Sequence, residues 1–86
     1  MMKTNQNKKF IQVNVIDIDQ NNDDGKSWFS WEELINKDMI ISIIEMTGGN
    51  KFQPKKYYSI FVSGALSSRD IMPEEYERIK KELLDE

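Results

Sequence analysis

The stretch "DIDQNNDDGKSWFSWEEL" (Asp17–Leu34) has two readings, and they lead to different folds. It is either a calcium loop entering a helix or a polar turn between two strands. An EF-hand loop wants oxygen ligands at positions 1, 3 and 5, glycine at 6 and a bidentate glutamate at 12. Starting at Asp19 puts Asp24 at the sixth place and Ser30 at the twelfth. Starting at Asp17 puts Asn22 and Trp28 there. Counting back from Glu32 or Glu33 leaves Gly25 or Lys26 at the fifth place. No register supplies the ligand set. The preceding "FIQVNVIDI" (10–18) sets Ile11, Val13 and Val15 against Gln12 and Asn14, the period of a half-buried strand where an EF-hand needs a helix. The expectation is therefore a solvated turn between strands. A calcium-responsive module in the 17–33 loop is the third functional reading below.

Upstream of the turn the apolar parity changes after Val15, where Ile16 and Ile18 become the apolar set; a bulge or strand end near Val15–Ile16 explains the change. Downstream, "WFSWEELI" (28–35) has helical spacing at Trp28, Trp31 and Ile35. Tryptophan and phenylalanine nevertheless favour strands, so we expect a strand ending at Ile35 and a tight turn at "NKD". "MIISIIEM" (39–46) is apolar on both faces and reads as a central strand. "TGGNKFQPKK" (47–56) is a connection, with Pro54 barred from a central ladder. "YYSIFVSG" (57–64) alternates again, and "ALSSRDI" (65–71) reads as a connector.

"MPEEYERIKKELLDE" (72–86) is the clearest helix. Pro73 suits the first helical position, and Glu74 and Glu75 sit where the helix dipole favours anions. Met72, Tyr76, Ile79 and Leu83 form one stripe, with Leu84 beside it. The fold class expected is α+β: a small antiparallel sheet of three to four strands with one C-terminal helix packed on one face. The stripe should meet Tyr58, Ile60, Val62 and one face of "IISII", leaving the sheet's other face partly uncovered. Residues 1–8 read as a disordered polar N-terminus and residues 9–86 as a single domain.

Composition removes whole classes of chemistry. The 86 residues contain neither cysteine nor histidine. Disulfides, thiolate chemistry and the usual zinc ligands are excluded, and the commonest general base is missing. The expectation is a protein that is not an enzyme and has no cofactor, metal site or catalytic residues. Net charge is −3, with residues 17–50 carrying eight acidic side chains against two basic ones. That is not the basic excess of a general nucleic-acid binder. No apolar run is long enough to span a membrane, and "MMKTNQNKK" has no apolar segment behind it. A cytoplasmic location is expected. Ten lysines against two arginines, with frequent Ile and Asn, suit an AT-rich bacterial or phage genome.

Three surfaces invite a function. Trp28, Phe29 and Trp31 fill volume if all are core, but strand neighbours face opposite sides, so at least one should be exposed or packed under a loop. Trp-rich surfaces dominate interface hot spots. With Asp23, Asp24, Glu32 and Glu33 they form the expected partner-binding surface. Lys51, Lys55 and Lys56 interleave with Phe52, Tyr57 and Tyr58, a pattern that fits single-stranded nucleic acid or simply a solubilised sheet edge. The carboxylates of Asp17, Asp19, Asp23, Asp24, Glu32 and Glu33 also fit a mimic of a nucleic-acid backbone. Ser63, Ser67, Ser68, Arg69 and Asp70 make no hydrolase pattern without histidine, and Gly48-Gly49 makes no phosphate loop.

The order of "LINKDMIISIIEM", "YYSIFVSG" and "MPEEYERIKKELL" resembles the small FlbD-like flagellar-operon proteins and short phage proteins of similar pattern. Ile35-Asn36, Ile40–Ile44, Gly64 and Pro73-Glu74-Glu75 carry the likeness over residues 34–84. Met72 stands where the pattern has a serine cap, and the 47–56 and 65–70 connections differ from it. The resemblance implies a small β-rich α+β fold and no defined enzymatic chemistry. The leading functional expectation is a non-enzymatic interaction module, phage- or mobile-element-encoded, that binds a cellular protein. The alternative is a nucleic-acid-binding regulator using Lys51, Lys55, Lys56, Tyr57 and Tyr58. A homo-oligomer through the uncovered sheet face is a further expectation.

Overall fold

The structure is a computed structural model that describes residues 9–84. The expected disordered segment 1–8 lies outside the described residues. Among the described residues, five strands and one α-helix follow in order: β1 (Phe10–Asn21), β2 (Trp28–Asn36), β3 (Ile40–Thr47), β4 (Lys56–Val62), β5 (Arg69–Ile71) and α1 (Pro73–Leu84). A 3-10 turn, Lys37–Met39, links β2 to β3, with the Asn36 side chain capping it at the Asp38 N–H. The sheet order is β2-β1-β5-β4-β3, and every described pairing is antiparallel. The fold is α+β, as the sequence implies. No helix among the described residues is long and apolar enough to cross a membrane.

The strand count is five, not three to four. The added strand is β5, drawn from the segment read as a connector. It is short, yet it pairs with β1 at Ile16↔Asp70 and with β4 from Tyr58↔Ile71 to Ile60↔Arg69. It thereby joins two hairpins, β1–β2 and β3–β4, into one sheet. A second correction concerns "MIISIIEM". Its β-branched residues suggested a central strand, but β3 is an edge strand. Its doubly apolar pattern is met on one face only: Ile40 and Ile43 pack toward the core, whereas Ile41 is 69 % and Ile44 47 % exposed.

β2 and β3 lie on opposite edges, yet only three residues separate them. The chain from Asn36 to Ile40 spans at most about 15 Å. The edges of a flat five-stranded sheet are about 19 Å apart. The sheet must therefore curl. Its contacts agree: the Asn21 Nδ2 and Trp28 Nε1 groups at the far end of the first hairpin both donate to the Phe52 carbonyl in the β3–β4 connection, at 2.8 and 3.0 Å. The Gln53 amide donates to Asp19 at 2.6 Å. The change of parity after Val15 also has its counterpart, a register shift along the β1–β2 ladder between Ile16 and Asn21.

The core is formed by Ile11, Val13 and Val15 of β1, Ile35 of β2, Ile60 of β4, Ile71 of β5 and Ile79 of α1. Tyr58, Tyr76 and Leu83 pack against it, and the Tyr58 and Tyr76 rings stack with centroids 3.9 Å apart. Tyr76, Ile79 and Leu83 of the expected stripe pack inward, whereas Met72 precedes the helix and Leu84 is exposed, and the helix lies chiefly over β1 and β4 rather than over β4 and β3. The reason is visible in the backbone. β5 turns into α1 soon after passing Ile16, so β1 needs other partners further back along its length. The Asn14 N–H donates to the Glu75 carboxylate at 2.8 Å, and Arg78 donates to both the Gln12 carbonyl and Glu75. Side chains of the helix thus satisfy backbone groups that a longer β5 would have taken.

One glycine is required by packing. The Gly48 N–H closes the β3–β4 connection on the Lys55 carbonyl at 3.1 Å, and an added Cβ would fall on the Pro54 carbonyl oxygen. Gly48→Ala is expected to destabilise the domain by about 1–3 kcal/mol through this overlap, read as a lower urea midpoint. An unchanged midpoint would show that the connection shifts freely.

Candidate functional site

The polar stretch Asn22–Ser27 is a turn. The Asp24 carboxylate accepts from the Lys26 N–H (2.8 Å), the Ser27 N–H (3.1 Å) and the Ser27 hydroxyl. Those backbone and hydroxyl donors hold its pKa below the ordinary carboxylate value. Gly25 supplies the left-handed residue, with φ at 68°. Asp24 is thus occupied by the turn itself, while Asp23 is exposed beside it.

β2 sorts the aromatic cluster. Trp28 is half-buried and tied to the Phe52 carbonyl, so it anchors the two hairpin tips together. Phe29 and Trp31 share one face of β2 and are 51 % and 45 % exposed. Glu33 follows on the same face, opposite Val13 of β1. Glu32 and Leu34 point to the other face and are exposed.

Trp31 is exposed but held. Its indole N–H donates to Glu33 Oε2 at 2.7 Å, and Arg69 Nε donates to Glu33 Oε1, also at 2.7 Å. Arg69 Nη1 in turn donates to the Ser67 carbonyl at 2.9 Å. Burial pushes the Glu33 carboxyl up, but the Arg69 and Trp31 hydrogen bonds outweigh it and hold the pKa below its ordinary value. The chain Ser67–Arg69–Glu33–Trp31 therefore fixes an aromatic plane at the surface from 36 residues away in sequence.

This network forms one wall of a groove of about 430 Å³. Val15 and Asp17 line its β1 side, Trp31 and Glu33 its β2 side, and Ser67–Asp70 the side across. Asp19 lies at its end. Among the described residues, none of Asp17, Asp19 and Asp70 has a salt-bridge partner. Asp17 accepts from the Asp19 N–H and Asp70 from the Ser59 hydroxyl. Burial pushes the Asp70 carboxyl up, the Ser59 hydrogen bond opposes this, and the Asp19 and Asp17 charges push it further. The same carboxylates are nevertheless too dispersed for a metal: among the described residues no three acidic side chains come together to hold an ion. A second cleft of about 510 Å³ lies between Trp28, Ser30 and the start of α1, and its one deeply placed carboxylate, Glu75, is already bound to Asn14 and Arg78.

The basic segment is arranged differently. Tyr57 is buried and Tyr58 is stacked on Tyr76, so neither ring is free for a base. Lys51 lies over the Phe52 ring at 5.3 Å, while Lys55 and Lys56 are exposed.

Compared with protein-family models, with curated proteins and with solved structures, this chain matches none of them. What the fold and the groove define is a small α+β domain with a pinned surface tryptophan beside carboxylates that have no salt-bridge partner among the described residues.

Of the residues in that network, Arg69 and Ser67 are weighed in the sequence only as part of a hydrolase pattern and not as part of this surface. A signal for Arg69 exists. The chain has ten lysines and two arginines, and both arginines tie separate segments together: Arg69 by its ion pair with Glu33 of β2, and Arg78, paired with Glu75 inside α1, by its hydrogen bond to the Gln12 carbonyl of β1. Arginine's rigid fork suits such fixed pairing better than lysine's mobile ammonium.

Proposed function

We propose that this protein is a non-enzymatic interaction module that binds a cellular protein through the β1–β2 face. Trp31 carries the reading: an exposed indole held in place by a half-buried ion pair costs little entropy to dock against. Phe29 enlarges the apolar contact, and Asp23 and the groove carboxylates form its acidic rim, while Glu32 lies on the opposite face of β2. The FlbD-like resemblance, which implies no enzymatic chemistry, points the same way. The test is affinity capture from host lysate with the wild-type domain and with Phe29→Ala and Trp31→Ala, each checked for an unchanged melting temperature. A protein retained by the wild type and lost by both variants supports the reading. Identical captures would end it.

A second reading rests on β3. This edge strand carries one charge, Glu45, and exposes Ile41 and Ile44. Edges without lysine or proline invite pairing with another strand. Self-association through β3 would appear as a dimer mass in light scattering that Ile44→Lys returns to the monomer. A monomer at every concentration removes this reading.

A further inference from the structure

We propose that the β1–β2 face takes an extended, arginine-bearing segment of a partner, with a guanidinium stacked on Trp31 and directed toward Asp17 and Asp19. The inference rests on the reading of this face as a partner surface and names the chemistry of what binds there.

Charge complementarity selects the occupant. Residues 17–33 carry six acidic side chains and one lysine. Glu33 is neutralised by Arg69, whereas Asp17 and Asp19 face the groove with no cation paired to them among the described residues. Each still has lone pairs free beyond the single N–H that it accepts, from Asp19 and Gln53 respectively. The Asp70 carboxylate behind them adds to the same negative field. A cation entering the groove is attracted by all three.

The shape of the groove decides which cation. The carboxylates are too far apart to enclose a metal ion. A guanidinium is planar, weakly hydrated and forked, so it can lie on an indole while donating sideways to carboxylates. Trp31 offers that plane in a fixed orientation, because Glu33 holds its N–H. Phe29, two residues earlier on the same face, would meet the next side chain on the same side of an extended segment. β2 is also an edge strand, so its unpaired backbone can add hydrogen bonds to a segment lying alongside.

The test uses a capped nine-residue peptide alternating valine and arginine, titrated into the full chain by calorimetry at low salt. Binding is expected, with amide shifts confined to Asp17–Asp19 and Phe29–Glu33 in NMR spectra. Trp31→Ala should weaken it about tenfold, and Asp17→Asn with Asp19→Asn should weaken it similarly. The asparagines keep the turn acceptors, so the fold is retained. Added salt should weaken the wild-type complex. The same peptide with citrulline for arginine should not bind. The inference is overturned if the arginine peptide fails to bind, if citrulline binds equally, or if spermidine or calcium alone gives the same shifts. Failure of the peptide while a Trp31-dependent partner is still captured removes only the arginine chemistry. Failure of both removes the interaction surface as well.

Discussion

Replacing Ile60 by alanine is expected to cost about 2–5 kcal/mol, a large share of the stability of a domain this small. Ile60 is completely buried on β4, where it faces Ile43 across the ladder and joins Ile71 and Ile79 in the core. The cost has two parts, the lost transfer free energy of the removed carbons and the cavity that remains. The cavity cannot close easily, because β4 is paired on both sides. Chemical denaturation of Ile60→Ala beside Ile60→Val measures both parts. The valine variant should lose about 0.5–1.5 kcal/mol. An alanine variant as stable as the valine one would show that the centre of the sheet is loosely packed.

The second large effect is acid destabilisation, centred on Glu75. Burial raises the pKa of this carboxyl, but the Arg78 hydrogen bond and the Asn14 N–H more than reverse that, and the net direction is down. Glu33 follows the same logic through Arg69 and Trp31. A carboxyl with a lowered folded pKa stabilises the fold above its unfolded value, near 4.5, and that contribution disappears as pH falls through the folded pKa. Asp70, shifted upward, works in the opposite sense and softens the loss. Stability should therefore hold near neutrality and fall steeply below about pH 4.5. Glu75→Gln should remove about 1–3 kcal/mol at pH 7 and flatten the acid limb. Thermal melts of both proteins at pH 7, 5 and 3.5 check this. Parallel acid limbs would place the titration elsewhere.

Much of this architecture is legible in the sequence, and the parts that are not share a cause. β1, β4 and α1 announce themselves because they are long enough to show a period: Ile11, Val13 and Val15 at two, Tyr76, Ile79 and Leu83 near 3.6. β2 does not, since Trp28, Trp31 and Ile35 also fit helical spacing and only the strand preference of Trp and Phe favours the ladder it forms. β5 has three residues, too few for any period, and its identity as a strand comes from neighbours far away in the chain. The edge position of β3 is hidden for a related reason. Local pattern reports that both faces are apolar, not whether something covers them. At the groove, alternation requires that Trp28, Phe29 and Trp31 cannot all point inward, and Phe29 and Trp31 do remain exposed. Which of them is anchored depends on the Phe52 carbonyl and on Arg69, neither of which lies nearby in sequence.

The position of β5 between β1 and β4 governs when the domain can form. The two hairpins share no ladder of their own, and the strand that locks them together is supplied by residues 69–71, followed at once by the helix. A ribosome that has made only residues 1–64 holds two ribbons with no keystone. Assembly must wait until residues 69–83 have emerged, and during that wait Val13 and Ile60 lack Ile71 and Ile79 as core partners. Pulse-proteolysis of stalled nascent chains should show protection arising abruptly once residues through Leu83 have cleared the exit tunnel.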